Sequence, residues 1–576
     1  LTTPAASQSQ DLRRVIGFAG GTALIVGITI GSGIFRTPPT IAGLVPNPLV
    51  IMALWTAFGL VSICGALALA ELSTMLPRAG GVYVFLREAY GDAAAFVFGW
   101  LYVLITTPTT IAALSVVFAE FLFNLLGVPA SARSIQLIAI AAIITLTGAN
   151  VLGARVGAAV SEVTTLVKVT ALAAIILGAF LLGHGSLSHI TAGGTVHGSG
   201  LARAVAAVIW TYDGWIAVSM IAGEVVAPER MMKRIIITGM LIIVTLYIGA
   251  NLAYLYMMPV SVMAQQKEAI ARTVMTAIAG PAGGVLIMLA IMTSVYGALN
   301  GNLLAKPRVP YAMARDGLIF SLLGRTHPRW GTPWVAVLIQ GVVGIIMVLA
   351  LKDYDSLTTY FVVVEWAALI FAVGALFVLR RKMAEAPRPF RTPAYPWVPL
   401  LFILGTVLGL SAIVWGQIQV HNFSPVYGLG IAVAGFPVHY LWKRLQRRRM
   451  RKAIVTEKAP KPVGPYSQAI IDGDFIFVAG QGPINPLTGK LELGDARSET
   501  KRVFENLRAI LEAAGSSLDH VVKCNVYLRD INDFAAMNEV YATYFTAPFP
   551  ARTTIQAGAL PGGIGVEIEC IAKKGK

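Results

Sequence analysis

Charge is what this chain has least of. Only 13% of its 576 residues are charged and 56% are hydrophobic, with a mean hydropathy of +0.71, whereas soluble domains carry about a quarter charged residues. That excludes an ordinary soluble enzyme for most of the length and puts most of the chain in lipid. Cysteine is nearly as scarce. Cys64, Cys524 and Cys570 form neither a paired framework nor a metal-ligand spacing, so a disulfide scaffold and a thiolate metal centre are excluded, and the last part fits a reducing compartment. No cleavable signal pattern precedes Arg13; the short polar stretch from Leu1 reads as a trimmed cytoplasmic arm, residues 1–12. Residues 456–576 hold 13 Lys+Arg against 14 Asp+Glu, which leaves 32 basic and 15 acidic residues before them. The basicity therefore belongs to the apolar portion, where it sets topology and gives no argument for nucleic acid.

What is present is a series of apolar windows, each near the 20 residues that a hydrocarbon core of about 30 Å requires. Twelve can be placed, at 15–41, 48–76, 92–126, 134–152, 158–183, 203–224, 234–258, 283–304, 333–351, 358–380, 396–417 and 424–442. Basic clusters fall on alternate loops: Arg13 and Arg14; Arg78 and Arg87; Arg155; Arg230 to Arg234; Lys306 to Arg329; Arg380 to Arg391; Lys443 to Lys452. The intervening loops, such as 184–203 and 352–356, are poor in them, so both termini are expected in the cytoplasm of a cell with a multi-pass plasma (inner) membrane protein.

Two windows are built to break. Gly-Ile-Thr-Ile-Gly-Ser-Gly-Ile-Phe at 27–35 interrupts the first span, and Trp-Thr-Tyr-Asp-Gly-Trp at 210–215 interrupts the sixth. Glycine costs about 1 kcal/mol relative to alanine in a helix interior, and peptide groups freed at bilayer depth are tolerated only where they line a cavity. A pair of broken helices in corresponding places points to a transporter binding site. An amino acid zwitterion suits such ends, because amides at a helix start attract the carboxylate and carbonyls at a helix end attract the ammonium. Gly31, Ser32 and Gly33 form the expected carboxylate cradle; Ile28, Thr29, Trp210 and Asp213 are candidates on the carbonyl and ammonium side. The bland alternative is a small-residue helix-packing pattern. Asp213 either meets a positive or polar substrate group or faces a watery crevice and caps the half-helix from Gly214 onward.

Three further motifs occur in order with the first break: Glu71-Leu-Ser-Thr-Met-Leu-Pro-Arg-Ala-Gly-Gly-Val-Tyr83, Asn300-Gly-Asn, and Arg308-Val-Pro-Tyr-Ala-Met-Ala-Arg-Asp-Gly317. With Gly27 to Phe35 they resemble the amino acid, polyamine and organocation (APC) transporter superfamily, more narrowly its L-type amino acid transporter branch, over roughly residues 10–445. The resemblance implies a LeuT-like fold of two inverted five-helix repeats plus two helices, twelve spans over residues 13–445, with substrate between broken spans 1 and 6 and no cofactor or metal. It makes Trp210 an aromatic gate, where an interfacial anchor is the alternative. It also implies that Lys168 in the fifth span substitutes for a coupling sodium and bridges spans 1, 5 and 8; a snorkelling lysine is the alternative. Sodium-independent exchange of small or moderate neutral L-amino acids is the expectation, with proton coupling left open through Asp213, Glu162 or Glu224. Glu224, Glu229, Arg230 and Lys233 after span 6, with Arg308, Arg315 and Asp316 after span 8, either form an ion-pair network that breaks on opening or only set topology.

From Ala453 the pattern changes to strands at 468–478, 521–528, 553–557 and 566–572 with helices at 495–514 and 532–545, an α+β domain over residues 456–576. Gly464-Pro-Tyr-Ser-Gln468, Gly480-Gln-Gly482, Asn532-Asp-Phe534, Phe549-Pro-Ala-Arg-Thr553 and Val566-Glu-Ile-Glu569 resemble the reactive intermediate deaminase (RidA) family. That implies a chorismate-mutase-like homotrimer that hydrolyses small enamines or imines, such as 2-iminobutanoate and 2-iminopropanoate, in clefts between subunits. Arg552 would grip the substrate carboxylate, Tyr466 and Asn538 would shape the pocket, and Glu567 would act on the attacking water. Alternatively Arg552 pairs with Glu569 across the sheet and Tyr466 is a core aromatic. Residues 446–455 have no flexible linker composition and read as a helical junction. That continuity, with the missing initiator Met, favours a tail fused by design as a trimerising scaffold; a natural bifunctional transporter with a deaminase tail is the alternative.

Overall fold

The structure is a computed structural model that describes residues 12–266, 269–350, 354–419, 421 and 424–575. The chain divides into two compact units, Leu1–His439 and Tyr440–Lys576. The first is helical: α1 (Phe18–Thr29), α2 (Gly33–Leu44), α3 (Pro48–Met75), α4 (Val82–Tyr90), α5 (Asp92–Leu101), a π-helical turn (Tyr102–Thr106), α6 (Thr107–Leu126), α7 (Ala132–Val151), α8 (Ala154–Leu181), α9 (Ser188–Thr191), α10 (Gly198–Tyr212), α11 (Ala217–Met220), α12 (Pro228–Met257), α13 (Val260–Met263), α14 (Ile270–Ala305), α15 (Arg308–Arg315), α16 (Trp334–Ala350), α17 (Tyr354–Lys382) and α18 (Trp397–Gln419). Among the described residues, ten helical stretches are long and apolar enough to cross a bilayer. The ninth window is α16, a shorter apolar helix of 17 residues. The twelfth is the first part of α19 (Ser424–Met450), whose end from Lys443 onward is basic.

Both expected interruptions are present. The first span parts into α1 and α2 at Ile30, whose ψ of 79° takes the chain out of the helix. The sixth parts at Asp213, extended at ψ 161°, and at Gly214 with φ +105°. The two breaks pack on each other: a Cβ on Gly214 would sit 2.9 Å from Ile28 Cγ2, and one on Gly33 would sit 2.8 Å from Thr211 Oγ1. Gly31 differs, since a Cβ there would meet Leu114 and Ala298 at ordinary distances of 3.5 and 3.6 Å. Around the breaks α12 packs on α3, and α14 packs on α8 and α6.

The second unit holds a six-stranded sheet in the order β1-β2-β3-β6-β4-β5, formed by β1 (Arg451–Ile454), β2 (Ala469–Asp472), β3 (Phe475–Gln481), β4 (Val521–Leu528), β5 (Ala551–Gln556) and β6 (Val566–Lys573) with α20 (Ala496–Ala513) and α21 (Phe534–Thr543). The helical junction expected at 446–455 needs correction. Helix α19 stops at Met450, and Arg451 to Ile454 pair with Asp472 to Ala469 of β2. Pairing with β2 satisfies one side of the backbone there, and Ile454 is buried. Alternation also sets the faces: Cys524, Val526 and Leu528 of β4 are buried beside α20 and α21, whereas Asn525 and Tyr527 lie on the opposite face.

Gly214→Ala places a side chain in a backbone region that disfavours it by about 1–2 kcal/mol and against Ile28. The detergent-solubilised variant is expected to melt several degrees below wild type, while Gly31→Ala melts near it. Equal melting temperatures would contradict the steric reading of the second break.

Candidate functional site

The two breaks face one cavity of about 40 Å³, lined by Ile28, Thr29, Gly31, Ser32, Gly33, Trp210, Thr211, Asp213 and Gly214, with Thr110, Leu114 and Asn302. All eight residues named from the sequence for substrate lie in this wall. Its size suits a few water molecules, so an amino acid requires the half-helices to move apart. The first amides of α2 have no partner within the helix and carry the positive end of its dipole toward Ser32.

The carbonyls at the other end are held by side chains. Lys168 of α8 is fully buried, and its Nζ donates to Gly27 O at 2.7 Å and Ile30 O at 2.7 Å on the first break and to Ser294 O at 3.0 Å on α14. The ammonium thus ties three helices together through carbonyl oxygens, the ligand type a hard cation takes. Tyr247 of α12 has its hydroxyl 2.8 Å from Thr29 O and 3.0 Å from Thr211 O, one contact on each break.

Asp213 Oδ1 accepts from Trp366 Nε1 at 3.2 Å. Next to Trp366 in sequence is Glu365 of α17, and Lys306 at the end of α14 has its Nζ 5.4 Å from the centroid of the Tyr102 ring; both Glu365 and Lys306 are buried. Tyr102 in the π-helical turn donates to Glu365 Oε1 at 2.6 Å, and Lys306 Nζ reaches Thr110 Oγ1 at 3.2 Å. The sequence reading missed Tyr247, Thr110, Asn302 and Glu365, and counted Lys306 only as a topology charge. Glu365 carried a usable signal as the one acid in the window 358–380.

A separate lock joins the segments after spans 6 and 8. Arg308 Nε donates to Glu224 Oε1 at 2.6 Å and Nη2 to Oε2 at 2.9 Å, with both side chains fully buried. Arg87 pairs with Asp316 at 2.7 Å, and the Tyr83 hydroxyl donates to Asp316 at 2.9 Å. Of the group named from sequence, Glu224, Arg308 and Asp316 meet partners in this region, while Glu229 and Arg230 are exposed.

In the second unit Arg552 Nη1 donates to Asn538 Oδ1 at 2.8 Å, and its guanidinium lies 4.5 Å from the Tyr541 ring centroid. Glu569 accepts from Asn525 at 2.7 Å and from Tyr527 at 3.1 Å. The sheet register explains the separation: Arg552 is level with Cys524 on the helix-covered face, whereas Glu567 and Glu569 are level with Tyr527 and Asn525 on the other. The alternative pairing of Arg552 with Glu569 is thereby removed. Within one chain Arg552 and Glu567 cannot share a pocket. Burial, reinforced by Glu569, raises the Glu567 carboxyl above its ordinary value, and a Cβ on Gly480 would collide with that carboxylate. Tyr466 is exposed; its hydroxyl accepts from Val463 N at 3.4 Å, so it is no core aromatic. Cys570 is buried among apolar residues.

Residues 16–435 match the amino acid permease family, and residues 456–574 match the endoribonuclease L-PSP family. The chain is 31% identical over 441 residues to the serine/threonine exchanger SteT of Bacillus subtilis, covering 76% of this chain and 99% of that protein. It is 30% identical over 404 residues to the b(0,+)-type amino acid transporter 1 of Mus musculus, covering 69% and 82%. A 124-residue stretch is 58% identical to a RutC family protein of Pyrococcus abyssi, covering 22% of this chain and 98% of that one. The chain belongs to the amino acid permease family, as a multi-pass membrane protein of APC type that carries a RidA/L-PSP domain at its C-terminal end.

Glu224→Ala strands the Arg308 guanidinium in a dry site, at a cost of about 3–5 kcal/mol. A large loss of folded protein in detergent is expected, recovered in part by pairing it with Arg308→Met. A single variant as stable as wild type would show that the pair is not the lock described.

Proposed function

We propose that the first unit exchanges small or moderate neutral L-amino acids, serine and threonine included, without sodium and by alternating access, with substrate held between the two broken helices. The observation that carries this is the pair of facing breaks around one cavity, with the Lys168 ammonium bound to carbonyls of the first. A fixed cation at that place does the work a coupling sodium would do and needs no gradient. Gly31, Ser32 and Gly33 hold the carboxylate, the carbonyl side near Ile28, Thr29 and Asp213 holds the ammonium, and Trp210 closes over the ligand. The name of the Bacillus relative, a serine/threonine exchanger, favours a short side chain. Twelve spans in two inverted repeats of five plus two helices remain our reading of the architecture, with residues 13–445 as transporter and 456–576 as tail, both termini on the cytoplasmic side. The Glu224–Arg308 lock is assigned to the cytoplasmic gate.

For the tail we favour a trimerising scaffold fused by design. The uncovered sheet face carries exposed Phe475, Phe477 and Ile555, which self-association would bury. A second reading has a specific observation behind it: Arg552 with Asn538 and a protonatable Glu567 are the parts an imine hydrolase needs, and their opposite faces require two copies to combine them.

Liposomes loaded with unlabelled serine are expected to take up labelled serine equally with and without sodium. Lys168→Ala removes the ammonium that bridges the Gly27, Ile30 and Ser294 carbonyls, leaving Ile30 O only its bond from Ser294 Oγ, at about 1–3 kcal/mol for each buried group left unsatisfied, and uptake is expected to fall at least about tenfold. Strict sodium dependence would overturn the role given to Lys168. For the tail, removing residues 453–576 is expected to reduce the detergent-solubilised mass to that of a monomer; persistent trimers would refute tail-driven assembly. If the tail is catalytic, Glu567 acts on the attacking water as its carboxylate. Because that carboxyl is raised above its ordinary value, activity is expected to be lost as pH falls through the raised value, sooner than for an ordinary carboxyl, and Arg552→Ala abolishes it.

A further inference from the structure

Beside the cavity, Glu365 and Lys306 have no part in the exchange described above, and they lie behind Asp213 of its wall. Glu365 is 2% exposed and Lys306 1% exposed, and with half-buried Asp213 on the cavity wall two carboxylates and one ammonium lie in one region. Tyr102 occupies Glu365 Oε1, while Glu365 Oε2 has no hydrogen-bond partner among the described residues. A carboxylate oxygen left bare in low dielectric is costly unless it bears a proton or meets a cation. The charge count gives the same answer: two acids and one base are neutral only when one acid is protonated. The π-helical turn at Tyr102–Thr106, an irregularity that recurs at functional sites, is what presents Tyr102 to Glu365.

The ionisable groups on neighbouring elements have partners of their own: Lys168 of α8, packed on α14, is bound to the Gly27, Ile30 and Ser294 carbonyls, and Arg308, just beyond Lys306, to Glu224. Helix α18, packed on α17, has none. Glu71 of α3 is paired with Arg380. On α4, Arg87 is held by Asp92 and Asp316, Glu88 by Arg78, Tyr83 by Asp316, and Tyr90 by the Phe371 carbonyl. Glu120 of α6 pairs with Arg36 of α2. On α10, the Tyr212 hydroxyl donates to Trp55 O, and Arg203 lies at the opposite end of that helix from Asp213.

We propose that Asp213 and Glu365 share one exchangeable proton, with Lys306 as the fixed counter-charge, and that this proton site is linked to substrate binding because Asp213 forms part of the cavity wall. This rests on the cavity being the substrate site. Losing the proton gives the wall a net negative charge next to the bound zwitterion, so occupancy of the site by H⁺ and occupancy of the cavity by amino acid influence one another.

The test is serine counterflow in liposomes with equal pH on both sides, scanned from about pH 5.5 to 8.5. Wild type is expected to change rate by at least about fivefold across the scan. Glu365→Gln keeps the shape and an acceptor for Tyr102 but cannot exchange a proton, and its profile is expected to flatten, read as shape rather than height. A flat wild-type profile overturns the proposal, as does a Glu365→Gln protein with the wild-type profile. Should Glu365→Gln elute as aggregate, Lys306→Met replaces it. Removing the counter-charge must displace the profile, and an undisplaced one overturns the proposal equally. Absence of any counterflow in wild type at every pH would instead refute the transport reading itself.

Discussion

A helix that stops in the middle of a bilayer leaves peptide groups without water, and the first unit is organised around satisfying them. The Lys168 ammonium does most of this for the first break, binding Gly27 and Ile30 carbonyls and reaching Ser294 on α14. Tyr247 adds one contact to each break, so the loose end of α1 and the loose end of α10 share one anchor on α12. With the carbonyl ends held from behind by protein, the amide end at Ser32 and Gly33 remains as the place where an outside anion is wanted. That division of labour sets the polarity of the site and is the basis of the proposed placement of a carboxylate at the amide end and an ammonium near Asp213.

The breaks were legible because glycine punctuation inside an apolar run has few meanings. Gly27 to Gly33 and Asp213-Gly214 marked both interruptions, and every residue named from them lies in one cavity wall. The meaning of individual glycines was less legible. Gly31 and Gly33 look alike in sequence, yet only Gly33 faces a neighbour too near to admit a side chain. The residues that surround the site from other helices were missed for a physical reason. Tyr247, Thr110 and Asn302 sit on helices whose apolar periodicity carries no sign of which face meets the break, and a tyrosine or threonine in a membrane helix is common. Glu365 and Lys306 were visible as lone charges, but only their approach to Asp213 gives them a shared chemistry. At the far end of the chain, the continuity of a basic helical run was read as extending to residue 455. Four residues, Arg451 to Ile454, pair with β2 instead and form the edge of the sheet, bonded along one side.

In the tail, a period of two decides more than any motif. Arg552 and Glu567 belong to one set of motif residues, and nothing in their spacing along the chain warns that they point away from each other. The register does: Arg552 aligns with Cys524, Glu567 with Tyr527, and residues three apart on one strand face opposite ways. A site that needs both groups must therefore draw them from different copies, which makes any catalysis a property of the assembly. The same geometry leaves Phe475 and Phe477 uncovered on the Glu567 face, so what would drive association and what would complete a site lie on one surface.

The proposed proton linkage and exchange meet at one residue of the first unit, Asp213 on the cavity wall. The ammonium of Lys168 is fixed by three carbonyls and belongs to the scaffold of the break. Behind Asp213, Glu365 has one oxygen without a hydrogen-bond partner among the described residues. A zwitterion brings no net charge into the cavity, so its binding does not by itself demand a change in the cluster. What it changes is the local field, through an ammonium placed beside Asp213. The strength of the linkage should therefore depend on how near the ligand's ammonium comes to that carboxylate, and less on the ligand's side chain, which is the opposite of what a specificity pocket would show.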